Sequence, residues 1–323
     1  MCMPYISTDN ADGFHNSHPD LAFAASSFRN AIRFANILSV DTAMVAAWQK
    51  GLDAMPAYPS ADFTFIEGAH GSEWNGGAGY FVEAEYGYHE GVNPVNSSDI
   101  TPQVWPWCNK EYPVSNFAAM WPTDEIGATQ TDDAALLARA KQTVWALTNY
   151  TKQGPFANTN GFCLSWPPAV RVAGRGDAEY LMKGFAGAIH AATGNNGCVH
   201  NQGGMLENVG ATVAINNLLL QSHGGRMRFF PVWNATTLGA ASFTTLRAYG
   251  AFIVSGAIDA SGTVAPVSLE SEVGGDVVFE SPWTGAPKVT VGAGTAVSTS
   301  VVSRNVYSFN TSVGGKYTIS DGN

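Results

Sequence analysis

The run GGMLENVGATVAINNLLLQSHGG, residues 203–225, puts the pair Glu207–Asn208 in a glycine-bracketed turn just ahead of an apolar helical stretch. Only 13% of the chain is charged, so a carboxylate at such a corner stands out. Glu207 has two readings. It satisfies free first-turn N–H groups and the positive end of the helix, or it is the water-activating member of a carboxylate pair. Asn208 is an N-cap residue or a group that orients water or ligand. His200, in the loop before, is a ligand contact or a loop histidine with structural hydrogen bonds. Glu67, Glu73, Glu83 and Glu85 are candidates for the partner acid. Glu83 and Glu85 alternate in FVEAE on one strand face, where like charges raise one pKa, or they are two solvated edge carboxylates. Trp105, Trp107, Trp121 and Trp166 offer ring faces for stacking, and all lie beside or near prolines, as packed loop anchors do. Arg171 and Arg175 flank PPAVRVAGRGD and are placed to contact a ligand or a helix end.

Other chemistries lack their residues. HGSEW, residues 70–74, is not the HExxH of a zinc protease, and the four cysteines form no CxxC pair, so no metal is expected. GxSxG, GxxxxGKS/T and GxGxxG are absent, and no cofactor is expected. The net charge of −10 and the lack of a Lys/Arg cluster argue against a nucleic-acid partner. No apolar run reaches the ~20 residues of a membrane span. The N-terminus lacks the basic and apolar segments of a signal peptide, while the low-charge, Asn/Ser/Thr/Gly-rich composition suits a secreted protein and a saccharide partner.

The elements that would position these residues change type near residue 225. His18 to Val40 carries Leu21, Phe28, Ile32, Ala35 and Leu38 on one helical face. Asp41 is placed to cap a second helix bearing Met44, Trp48 and Leu52. Periodicity predicts further helices over 132–149, 177–192 (with Asp177 as a cap) and 212–223, the last stopped by Gly224 and Gly225. A long loop insertion fills 56–131, with strand-like pieces at 63–68 and 80–85. Beyond 225, seven short alternating segments at 226–233, 251–258, 264–272, 276–282, 288–294, 305–312 and 315–320 predict an antiparallel β-sandwich. The expected class is α+β multidomain: a helical region over 1–225, then a β-sandwich over 226–323.

The run VHNQGGMLENVGATVAINNLLLQSHGGRMRFFPVW, followed by TLRAYGAFIVS, resembles glycoside hydrolase family 95. HPDLAFAASSFRNAIRFANILSV and YPVSNFAAMWPTDEIG are similar to the same group, and the resemblance covers about residues 18–290. It implies a partial (α/α)6 toroid of helical hairpins and an inverting α-L-fucosidase or α-L-galactosidase acting on oligo- or polysaccharides. Inversion needs two carboxyl groups roughly 6.5–9.5 Å apart, with water between. On the resemblance, Glu207 is the catalytic water-side carboxylate. Asn208, His200, Trp166, Trp107 and Arg171 are the expected substrate-binding residues. Two departures are visible. The family's aspartate falls on Leu206, with Glu207 one residue on, while His200, Asn208 and Gly210 match. The family's general-acid glutamate precedes the segment that starts here at His18, where only Asp9 and Asp12 stand. The chain therefore reads as the C-terminal part of such an enzyme. A homo-oligomer, or an N-terminal segment beyond this sequence, would complete the toroid. The alternative is a truncated or degenerate homologue that binds carbohydrate or packs on a partner without catalysis.

Overall fold

The computed structural model describes residues 18–58, 60–63, 77–81, 117–127, 133–149, 162–192 and 209–322. The chain is of the α+β class and divides into two compact units. Of the described residues, those up to 127, 133–149, 162–172, 187–192 and 209–210 belong to the first, and 173–186 and 211–322 to the second.

The first unit opens with α1, His18–Leu38, and α2, Thr42–Asp53. In α1, His18, Ala22, Ala25 and Ala35 are buried along a stripe of mostly small residues. Small side chains let α2 approach, and Gly51 of α2 sits where an added Cβ would lie 3.0 Å from the Phe28 ring. Asp41 does not cap α2 as expected. Its backbone is left-handed, at φ 49°, and its side chain makes no cap hydrogen bond. The strands β1, Ser60–Phe63, and β2, Gly77–Phe81, pair antiparallel. Helix α3, Ala134–Asn149, is capped by Asp133, whose Oδ1 accepts from the N–H groups of Ala135 (2.9 Å) and Leu136 (3.0 Å). It packs on β2 and on α4, Phe162–Val172. Helix α4 was not expected, because Pro167 and Pro168 lie inside it and proline normally reads as a helix breaker. Helix α5, Ala178–Ala192, follows a single 3-10 turn, Arg175–Asp177. Asp177 accepts from the Gly174 N–H at 2.9 Å.

In the second unit, α6, Val209–Leu219, stops four residues short of the expected His223. Leu220–Gln221 is already strand β3, paired with β4, Met227–Phe229. The remaining strands are β5 Ala241–Ala248, β6 Phe252–Ile258, β7 Val267–Ser271, β8 Gly275–Glu280, β9 Pro287–Val291, β10 Thr295–Val297, β11 Ser300–Ser303, β12 Val306–Thr311 and β13 Lys316–Asp321. One sheet orders them β10-β9-β13-β7-β6-β5, the other β11-β12-β8-β4-β3. All pairs are antiparallel except β4 with β8.

The two sheets share one core. Phe230 meets Phe243 with ring centroids 5.3 Å apart, and Phe309 of β12 meets Tyr317 of β13 at 5.4 Å. Phe279, fully buried, has its ring centroid 6.2 Å from that of Phe229 and 6.1 Å from those of Tyr307 and Phe309. Burying such a side chain contributes on the order of 1.5–3 kcal/mol. Strand β5 was missed in the sequence because its register shifts between Phe243 and Leu246, with Thr245 at φ 55°. That bulge breaks the two-residue alternation. A second register shift interrupts β11 between Val301 and Ser303.

Candidate functional site

Glu207, Asn208, His200 and Trp107 lie outside the described residues, as do Asp9, Asp12, Glu67, Glu73, Glu83, Glu85 and Trp105. Trp166 and Arg171 lie within them, on α4, and both are buried. Arg171 belongs to a polar cluster in the first unit that gathers on the turn Phe117–Gly127.

That turn is built from within. The Thr123 hydroxyl donates to the Ala118 carbonyl at 2.6 Å, and the Ile126 N–H to the Ala119 carbonyl at 2.8 Å. Phe117 through Met120 are buried. Asp124 takes the left-handed backbone region at φ 58°, which sends the adjacent carboxylates to different helices. Asp124 forms an ion pair with Arg171 of α4. The same guanidinium stacks over the Trp121 ring, 4.7 Å from its centroid, and reaches the Met120 carbonyl at 3.5 Å. Glu125 pairs with Arg29 of α1 at 2.9 Å.

The carboxyl of Glu125 is 5% exposed while Arg29 stands largely in solvent. Burial pushes the Glu125 pKa up, and the Arg29 charge works against that rise. The Tyr58 hydroxyl is likewise pushed well above its usual range, first by burial and then by the Glu125 charge, with Arg29 opposing. His18 stacks on Tyr58 with ring centroids 4.7 Å apart. Its Nε2 accepts from the Ala119 N–H at 3.3 Å. Complete burial lowers the His18 pKa from 6.5 to about 3, so the ring is neutral near pH 7 and carries its proton on Nδ1.

Chemically, the turn offers one carboxyl biased toward its protonated form (Glu125), one held as a carboxylate partner of arginine (Asp124), a neutral imidazole and a tyrosine. A buried, protonation-prone carboxyl is what a proton donor to a leaving oxygen requires, and the Arg29 charge opposes that bias. Such a cluster is equally what joins three segments of a helical unit. Sequence reasoning passed over His18, Arg29, Tyr58, Asp124 and Glu125 as site residues. The available signal was two adjacent acids in a Trp-Pro turn, in a chain with few charges.

In the second unit, Gln221 and His223 are buried, and Gln221 Nε2 donates to the Asn217 carbonyl at 3.1 Å. Among the described residues no cluster of His, Cys, Asp or Glu is arranged to hold a metal, and no helix is long and apolar enough to cross a membrane. The chain matches no protein-family model, and no curated protein matches it.

Proposed function

We propose that the protein is an inverting glycoside hydrolase acting on α-L-fucosides, α-L-galactosides or related saccharides without a cofactor. The observation that carries this reading is the passage from Val209 to Trp233. The residues that most resemble the family form one continuous run in which α6 leads through β3 and β4 into the two-sheet module. Glu207, two residues before Val209 in the sequence, is the proposed water-side carboxylate. Asn208, His200, Trp107, Trp166 and Arg171 are the proposed saccharide contacts. The helical segments are proposed to belong to a toroid. Faces that such a toroid would pack are open on α1 and α2, where Phe34, Ile37, Leu38 and Met44 are exposed. A second copy covering these faces is the proposed homo-oligomer.

The test uses aryl α-L-fucoside and α-L-galactoside, with the product anomer read by NMR before it mutarotates. The proposal expects hydrolysis with inverted configuration, and its loss in Glu207→Gln with the fold retained. Turnover unchanged in Glu207→Gln would remove that residue's role. The second reading is a degenerate, non-catalytic homologue, favoured by Leu206 standing where the family has its aspartate. Saccharide binding without turnover would establish it.

A further inference from the structure

In the second unit, Arg228 lies on the five-stranded sheet, and Arg175 is hydrogen-bonded to the backbone two residues beyond it. Arg228 sits on β4, with Gln221 of β3 and Glu280 of β8 as its register neighbours. Its Nε donates to Glu280 Oε2 at 3.0 Å. Its Nη1 is shielded from solvent and has no acceptor among the described residues. Arg175, in the turn Arg175–Asp177, donates from Nε to the Phe230 carbonyl at 3.2 Å, two residues beyond Arg228 along the chain. The two cations act on each other. Burial first, and then the Arg228 charge, press the Arg175 pKa down, while Glu280 opposes the shift. Glu280 thus pairs with Arg228 and acts electrostatically on Arg175, in a chain whose net charge is −10.

Arginine's planar fork is suited to pairing two oxygens of one anion. Two guanidinium groups under the influence of a single carboxylate keep donors in excess, and a bound anion relieves the repulsion between the cations. We infer that Arg175 and Arg228 form an oxyanion-binding site on the β-module, taking a carboxylate or sulfate group. This site stands apart from the proposed glycosidase chemistry in residues and in ligand. Glu280 is its built-in competitor, occupying part of the Arg228 fork.

The test follows the arginine side-chain Nε–H resonances of the full chain during titration with sulfate, acetate or galacturonate at fixed ionic strength. Saturable shifts at Arg175 and Arg228 are expected, with affinity falling about tenfold or more in Arg175→Met, the scale of one charged hydrogen bond. Glu280→Gln removes the competing carboxylate and should tighten binding, a gain that misfolding does not produce. Equal affinity for sulfate, acetate and galacturonate would identify a site for free oxyanions. Tighter binding of galacturonate would identify a sugar-borne carboxylate. Shifts linear in anion concentration, unchanged in Arg175→Met, or weakened in Glu280→Gln would overturn the inference.

Discussion

Asp124→Asn tests what Arg171 is for. The Arg171 side chain is 4% exposed and that of Asp124 18%, so solvent and salt screen their attraction little. Removing one partner of a buried pair costs about 3–5 kcal/mol, because the remaining charge stays desolvated. Arg171 keeps the Trp121 ring at 4.7 Å and the Met120 carbonyl at 3.5 Å. Those contacts place the expectation at the low end, about 3 kcal/mol. For a unit of this size that lowers the melting midpoint by roughly 6–12 °C. Calorimetry, with near-ultraviolet dichroism reporting the tryptophans, reads it directly. Replacing both partners, Asp124→Leu with Arg171→Met, should recover a measurable part of the loss, since neither charge is then buried alone. The reasoning fails if Asp124→Asn melts like the parent, because the ion pair would then contribute no stability.

Acid should act through His18. Its folded pKa, about 3, lies below the ordinary 6.5, so the contribution is complete above pH 6.5 and is lost as pH falls toward 3. The slope is about 1 kcal/mol per pH unit, and Glu125, whose folded pKa is raised, works in the opposite sense. Urea unfolding at pH 7 and pH 5 should show a larger drop for the parent than for His18→Gln; equal drops would count against the neutral buried ring. The open faces of α1 and α2 predict a concentration-dependent oligomer by sedimentation velocity, dissociated by Leu38→Glu. A monomer at all concentrations would refute the second-copy proposal.

The two-sheet module was largely legible because strands such as β7, and most of β8 and β13, alternate between buried and more exposed residues. What escaped were elements whose local signal conflicts with their setting. Helix α4 holds two prolines among buried neighbours, and tertiary packing overrides their breaking tendency. Leu219 and Leu220 both read as helix, yet the Phe230 N–H donates to the Leu219 carbonyl at 2.7 Å and the chain leaves the helix there. Hydrophobicity alone does not encode that exit. The cluster around Glu125 was hidden for a different reason. Its members come from positions 18, 29, 58, 121–125 and 171, and only folding puts them side by side. Periodicity reports which face of an element is apolar, not which distant acid a buried arginine meets.

The outer strands of the β-module set limits on how it can associate. Strand β3 has two residues and β10 three, too short to template another chain. The longer margins, β5 and β11, are each interrupted by a bulge, and in β5 the Thr245 N–H is taken by the Ser255 hydroxyl at 2.9 Å. No border presents a long flat row of backbone donors and acceptors of the kind that recruits further strands. Crowding this unit therefore does not extend its sheets, and contacts it makes with other molecules must run through side chains.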